Sequence, residues 1–122
     1  MDVRGVRGAI TVEKNDKEVI WKAGRRLIEA MLEANDIKTE DIGAAFFTMT
    51  EDLTAAFPTT GARAIPGFEL VPLFDARQPA VEDSLPMCIR ALLLVDTENK
   101  QGEIHHIYLG DAKKLRPDLL RG

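Results

Sequence analysis

An arginine stands inside the most apolar stretch of the chain, Cys88-Ile89-Arg90-Ala91-Leu92-Leu93-Leu94-Val95. A guanidinium keeps its charge at any physiological pH, so it cannot escape burial by losing its proton. If Arg90 is inside, something anionic must meet it. No acidic residue lies nearer in sequence than Asp83 and Asp96. Two readings are open: Arg90 sits at the mouth of its element and carries its head to water on an apolar stem, or its partner comes from elsewhere, as an acidic side chain or a ligand.

The chain holds nine arginines against seven lysines. Arg7, Arg63, Arg90 and Arg116 fall at element edges or in loops. Arginine suits two-pronged recognition of carboxylates and phosphates. With Tyr108 and Phe57, and without a strong base or nucleophile, such a set describes a site for a small polyanion. Chemistry there proceeds by positioning and electrostatics. The competing reading is a set of surface or structural ion pairs.

Other chemistries find little support. Cys88, the single cysteine, begins an apolar run and reads as a buried structural thiol. His105 and His106 are adjacent on an expected strand, so they point to opposite faces and do not chelate one ion together. His106 reads as a hydrogen-bonded, half-buried histidine. Arg4-Gly5-Val6-Arg7-Gly8 has glycines on a strand but neither of the phosphate-cradle spacings. No carboxylate pair stands out for acid-base work.

The elements that must position these residues follow from periodicity. Val3–Val12 reads as a strand, and Asn15-Asp16-Lys17-Glu18 as a helix start with Glu three residues beyond the cap. Val19, Ile20, Ala23, Leu27, Ala30, Met31 and Ala34 then recur at spacings of three and four, giving a helix to about Asn35 with one buried face. Ile42–Met49 is a second buried strand. Phe57-Pro58 breaks the chain before a short helix over Thr59–Ile65. Further strands are expected over Phe68–Phe74, Cys88–Val95 and Ile104–Leu109, with an irregular loop from Asp75 to Leu85, a helical turn over Gly110–Lys114, and a mobile tail over 115–122. The fold class is α+β, a mixed β-sheet packed with helices, in one domain over 1–122. One long helix covers only one sheet face. Yet Ile42–Met49 and Ala91–Val95 are apolar at consecutive positions, so both faces call for burial. A homo-oligomer resolves the mismatch.

Composition sets outer bounds. A chain of 122 residues, 45% hydrophobic and 30% charged, is ordinary for a globular domain. A net charge of -4 and no basic block argue against nucleic acid. No apolar run reaches membrane-spanning length, and the first residues lack a signal-peptide core. The expected location is the cytoplasm.

Six segments taken in order carry a resemblance. They are Val3-Arg4-Gly5-Val6-Arg7-Gly8-Ala9-Ile10-Thr11-Val12-Glu13; Thr50-Glu51-Asp52-Leu53-Thr54-Ala55-Ala56-Phe57-Pro58 with Ala62-Arg63; Val71-Pro72-Leu73; Cys88-Ile89-Arg90; His106-Ile107-Tyr108-Leu109; and Leu115-Arg116-Pro117-Asp118-Leu119. In order and spacing the chain resembles the AroH-class chorismate mutases from Val3 to Leu119. The resemblance implies a homotrimer forming a pseudo-α/β barrel, with an active site at each subunit interface. It implies rearrangement of chorismate to prephenate without metal or cofactor. By matching position, Arg90 faces the ether oxygen, and Arg7 and Tyr108 contact a substrate carboxylate. Phe57 and Leu73 form pocket walls from the neighbouring subunit, Phe74 and Asp75 are further substrate-binding positions, Arg63 and Arg116 guide the anion at the mouth, and Leu115 closes over it.

Three positions depart from the family pattern. Gln78 replaces a glutamate that accepts a hydrogen bond from the substrate hydroxyl, keeping a carbonyl acceptor but no charge. Asp75 stands where a small neutral residue is usual, and restores negative charge if the chain places it near Arg90. Thr60 stands where some members have a cation. Gln78 keeps a second reading open, a trimeric small-anion-binding or regulatory module that has lost turnover. A trimeric enamine-deaminase type of enzyme, of similar fold and also reliant on an arginine, fits the motif order less well.

Overall fold

A computed structural model describes residues 2–115. Five strands form one mixed sheet in the order β3-β2-β4-β1-β5. They are β1 (Asp2–Thr11), β2 (Ile42–Met49), β3 (Leu73–Arg77), β4 (Cys88–Thr97) and β5 (Ile107–Leu109). Strand β4 lies at the centre, antiparallel to both β1 and β2. The edge strands run parallel to their neighbours, β5 to β1 and β3 to β2. The architecture is α+β, as the sequence pattern predicts.

Helix α1 (Lys17–Ala34) covers one sheet face. It presents Ile20, Ala23, Leu27, Ile28 and Met31 to a core built from alternate strand residues: Val6 and Ile10 of β1, Ala45 and Phe47 of β2, and Ile89, Ala91, Leu93 and Val95 of β4. The two-residue period of a strand sends the intervening side chains to the opposite face. There Val3 and Phe74 are each 62% exposed, and Phe46 and Leu92 each 38%. Large apolar side chains thus lie open on the face that α1 does not reach.

The helix start differs by one residue from the expectation. Asp16 is the N-cap, its carboxylate accepting from the backbone N–H of Val19. Asn15 reaches across the fold instead. Its Oδ1 accepts from the N–H groups of Thr54 and Ala55, and its Nδ2 donates to Thr54 Oγ1. The 54–55 loop is thereby tied to the helix start. The short helix α2 (Pro58–Ala62) opens with a proline at its first position, where the missing N–H costs nothing. It packs on α1 at Gly61, where a side chain would collide with the carbonyl of Trp21.

Two expected strands are corrected. Phe68–Leu70 is a 3-10 turn, and β3 begins only at Leu73. Gly67 enters that turn with φ 92°, a left-handed conformation suited to glycine. Phe68 then drops into the core while Leu70 projects into solvent, 87% exposed. Asp75, Ala76 and Arg77, expected in a loop, belong to β3. At the other end, β5 spans only Ile107–Leu109 because the backbone of His105 is already engaged. Its N–H donates to Asn35 Oδ1 and its carbonyl accepts from Asn35 Nδ2, at 2.7 and 2.8 Å.

Candidate active site

The register of the central strands brings Arg90, Tyr108 and Thr48 into one row. Arg90 pairs with Ala9 on one side and Thr48 on the other, and Ala9 pairs with Tyr108. All four side chains face away from α1. In the neighbouring row, Leu92 pairs with Arg7 and with Phe46. Together these residues and Leu115 line a cavity of about 440 Å³. The ring of Phe46 meets that of Phe74 edge-on, 6.2 Å between centroids, which continues the apolar wall onto β3.

The electrostatics of this cavity are one-sided. Arg7 and Arg90 both line it, and no Asp or Glu does among its described lining residues. Arg90 is half-buried and makes no ion pair within 4 Å among the described residues; the ion pairs found are Arg4–Asp2 and Arg25–Glu29. Its Nε is shielded from solvent without a hydrogen-bond partner among the described residues, and so are Tyr108 Oη and Thr48 Oγ1. A buried polar atom left unpaired costs about 1–3 kcal/mol. Three such atoms in one row mark a place that calls for a polar, anionic occupant.

Cys88 shares the face and parity of Arg90 but lies fully buried beside the row, packed with Ala9, Tyr108 and Ala112. Burial pushes its thiol up, and the neighbouring Arg90 guanidinium only partly offsets this. A protonated, enclosed thiol is a packing group, as expected from sequence. His106 Nδ1 accepts from the backbone N–H of Arg7 at 2.9 Å, which fixes the start of the Arg7 edge of the cavity. That is the hydrogen-bonded, half-buried histidine anticipated above. No group of three or more His, Cys, Asp or Glu with metal-binding geometry occurs among the described residues.

A sequence model for the family described as chorismate mutase type I matches residues 3–119. The chain belongs to this family. It is 52% identical over 118 residues to the chorismate mutase AroH of Thermus thermophilus, covering 96% of each protein. It is 38% identical to the chorismate mutase AroH of Bacillus subtilis strain 168, covering 98% of this chain and 94% of that one. A solved chorismate mutase from Clostridium thermocellum superposes with a TM-score of 0.88 at 36% identity, covering 91% of this chain and 98% of that one.

The other expected site residues that the structure describes fall outside the Arg90 cavity. Phe57, 62% exposed, and Asp75 line a separate cleft of about 200 Å³ on the α1 side of β3. Arg63 is exposed at the C-terminal cap of α2. Leu73 is half-buried and packs against the main core. Arg116 lies outside the described residues, as does the tail beyond Leu115. Gln78 extends the β2–β3 ladder, its N–H donating to Met49 O at 2.9 Å. Its parity places it on the Arg90 face, but it lines a third hollow, of about 330 Å³, with Thr50 and Asp52. Its Oε1 is buried and unpaired. Asp75 meets a different partner within the chain. Its Oδ2 accepts from Thr59 Oγ1 at 2.6 Å on the face opposite Arg90, so within one chain it does not balance that charge.

Sequence reasoning missed Thr48, Phe46 and Ala9. Thr48 is the one hydroxyl in the apolar run Ile42–Met49, and that exception was the available signal. Ala9 gave none, because its contribution is its small size between Arg90 and Tyr108.

Proposed function

We propose that the chain rearranges chorismate to prephenate at the Arg90 cavity, as one catalytic domain acting within a homotrimer. The observation that carries this is the half-buried Arg90, which has no acidic partner among the described residues, in a cavity it shares with Tyr108 and Arg7. Chorismate is a dicarboxylate that must fold into a compact, pseudo-diaxial shape before it reacts. Arg7 and Tyr108 hold a carboxylate of that shape, which makes the step an orientation problem already solved on binding. The ether C–O bond then breaks as a new C–C bond forms in the same molecule, with no atom gained or lost. Negative charge builds on the ether oxygen. The Arg90 guanidinium meets it and stabilises the transition state more than the ground state. A unimolecular step of this kind calls for no nucleophile, metal or cofactor.

The open face of the sheet supports the assembly. Val3, Phe46, Phe74 and Leu92 lie exposed there, and other copies of the chain would bury them. The same assembly would bring Phe57, Leu73, Phe74 and Arg63 of one copy against the Arg90 cavity of the next. Leu115 and Arg116 would close it, and Asp75 and Gln78 would supply its acceptors. No helix among the described residues is long and apolar enough to cross a membrane, and the proposed setting is the cytoplasm.

One observation favours a second reading. Gln78 Oε1 is buried and unpaired but uncharged, which suits an anion-binding module without turnover. The deciding experiment follows the loss of chorismate's ultraviolet absorbance with purified protein, identifies the product, and measures the assembly's mass by light scattering. Saturable loss yielding prephenate, from a particle three times the 13.5 kDa chain mass, supports the enzyme. No loss from an intact trimer supports the binding module. A monomer of full activity would defeat the shared-site proposal.

A further inference from the structure

We infer that Thr48 is a positioning residue for Arg90: its hydroxyl accepts the Nε–H of the guanidinium and so sets the plane in which Arg90 meets the reacting anion. The inference rests on the function proposed for the Arg90 cavity. Thr48 is not among the residues that the family resemblance names.

Strand pairing sets the two side chains next to each other. Thr48 of β2 is the register partner of Arg90 of β4, and both line the same cavity. Directly paired residues on one sheet face stand about 4.5–5.5 Å apart at Cβ. A hydroxyl and a guanidinium close that gap by a change of rotamer. Each group brings what the other lacks. Arg90 Nε carries one N–H and Thr48 Oγ1 has acceptor lone pairs. Both atoms are shielded from solvent without a partner among the described residues, and one bond satisfies both. Rival acceptors are worse placed. Tyr108 lies two strands from Arg90, with Ala9 between them, a separation of about 10 Å. Cys88 offers only a weak sulfur acceptor, and its thiol is turned to the Ile89 carbonyl. On its other flank Thr48 pairs with Ala76 of β3, whose side chain has no polar atom to compete for the hydroxyl. The Nε–H lies in the guanidinium plane, so one bond there fixes the direction of both Nη groups. They stay available to the anion over Ala9. A donor stabilises a transition state best when it is aimed beforehand, and Thr48 supplies the aim.

The experiment compares Thr48→Val, which keeps the shape of the side chain and removes its hydroxyl, with Thr48→Ser, which keeps the hydroxyl. Thermal melts establish that both full-length variants are folded. With chorismate, Thr48→Val should lower kcat about tenfold and leave KM within about twofold, as for a misaimed donor on which substrate binding does not depend. Thr48→Ser should recover most of the loss. In an Arg90→Ala background Thr48→Val should cost less than about twofold, because it acts through a group already absent. A loss of equal size in that background overturns the proposal and makes Thr48 a direct substrate contact. A normal kcat in Thr48→Val also overturns it, as does a Thr48→Ser variant equally slow. A readout independent of turnover is the Nε–H proton resonance of Arg90 in isotope-labelled protein, assigned by its loss in Arg90→Ala. It should move upfield in Thr48→Val and hold its place in Thr48→Ser. An identical resonance in the parent and both variants overturns the pairing. Absence of chorismate turnover with the expected resonance shift would defeat the enzyme reading and leave the Thr48–Arg90 bond standing.

Discussion

Arg90 and Tyr108 lie on one sheet face with only Ala9 between them, because Ala9 is register partner to both. The methyl group of Ala9, 1% exposed, forms the floor of the gap. Enlarging it fills the space where a carboxylate would bridge the two side chains. Ala9→Leu should lower kcat/KM roughly a hundredfold through misplacement of the reacting groups. It should also destabilise the fold by about 1–3 kcal/mol, as overpacking does. Steady-state kinetics and a denaturant titration measure the two effects, and normal kinetics would show that the gap is not occupied by substrate.

Arg90→Ala should raise the barrier by about 3 kcal/mol or more, as for loss of a preorganised oxyanion donor. Its melting temperature should hold or rise, because a half-buried cation with no acidic partner among the described residues is removed. Arg90→Lys should also be poor, since an ammonium does not reproduce the two-pronged geometry. A near-normal rate in Arg90→Ala would end the assignment of Arg90 to the ether oxygen.

Gln78→Glu should improve turnover or substrate binding if Gln78 Oε1 meets the substrate hydroxyl. The added charge would also balance Arg90 in the assembled site. An unchanged or slower variant would show that another acceptor, with Asp75 the first to examine, serves that hydroxyl. A parallel Asp75→Asn variant, assayed alone and with Gln78→Glu, separates the two positions.

Gly61→Ala tests how the α2 wall is held. The added methyl collides with the Trp21 carbonyl, a backbone group of α1 that cannot rotate aside. A loss of about 1–3 kcal/mol is expected, enough to lower the melting temperature by at least about 3 °C. An unchanged melt would mean that the two helices separate at little cost.

Cys88 gives a pH signature. Its folded pKa is raised by burial, so the folded chain holds the thiol proton where the unfolded chain, near pH 8.5, begins to release it. Stability from this group is present below that pH and is lost as pH rises above it toward the folded pKa. Cys88→Ala should flatten this alkaline decline relative to the parent. Denaturant titrations across that range measure it, and identical slopes would exclude the thiol.

Elements with a single strong signal were legible in the sequence. The three- and four-residue spacing from Val19 to Met31 defined α1, and the apolar runs of β2 and β4 were unmistakable. Arg90 was legible for the same reason, as a charge out of place. The failures came where backbone groups were satisfied by something other than a strand. Phe68-Glu69-Leu70-Val71 has strand composition, but the left-handed Gly67 turns it into a 3-10 segment that buries Phe68 and exposes Leu70. At His105, the Asn35 side chain takes the ladder groups that an extension of β5 would need. Asn15 has the spacing of a cap, yet its side chain clamps a loop 39 residues away, a contact that no local spacing announces. Asp75 was the clearest limit at the site. Its charge was visible, but which face of β3 it occupies depended on where that strand begins.

Asn35 also sets how much length variation the chain tolerates. Its side chain binds Met31 O at the end of α1 and both backbone groups of His105, three residues before Tyr108. The helix end and the approach to β5 therefore share one fastening. An added or deleted residue near position 35 would be transmitted to the placement of Tyr108, although the turn itself lies at the surface. Loops remote from this fastening, such as the exposed stretch 79–84, carry no such constraint. Length changes among relatives should collect there and be absent at the end of α1.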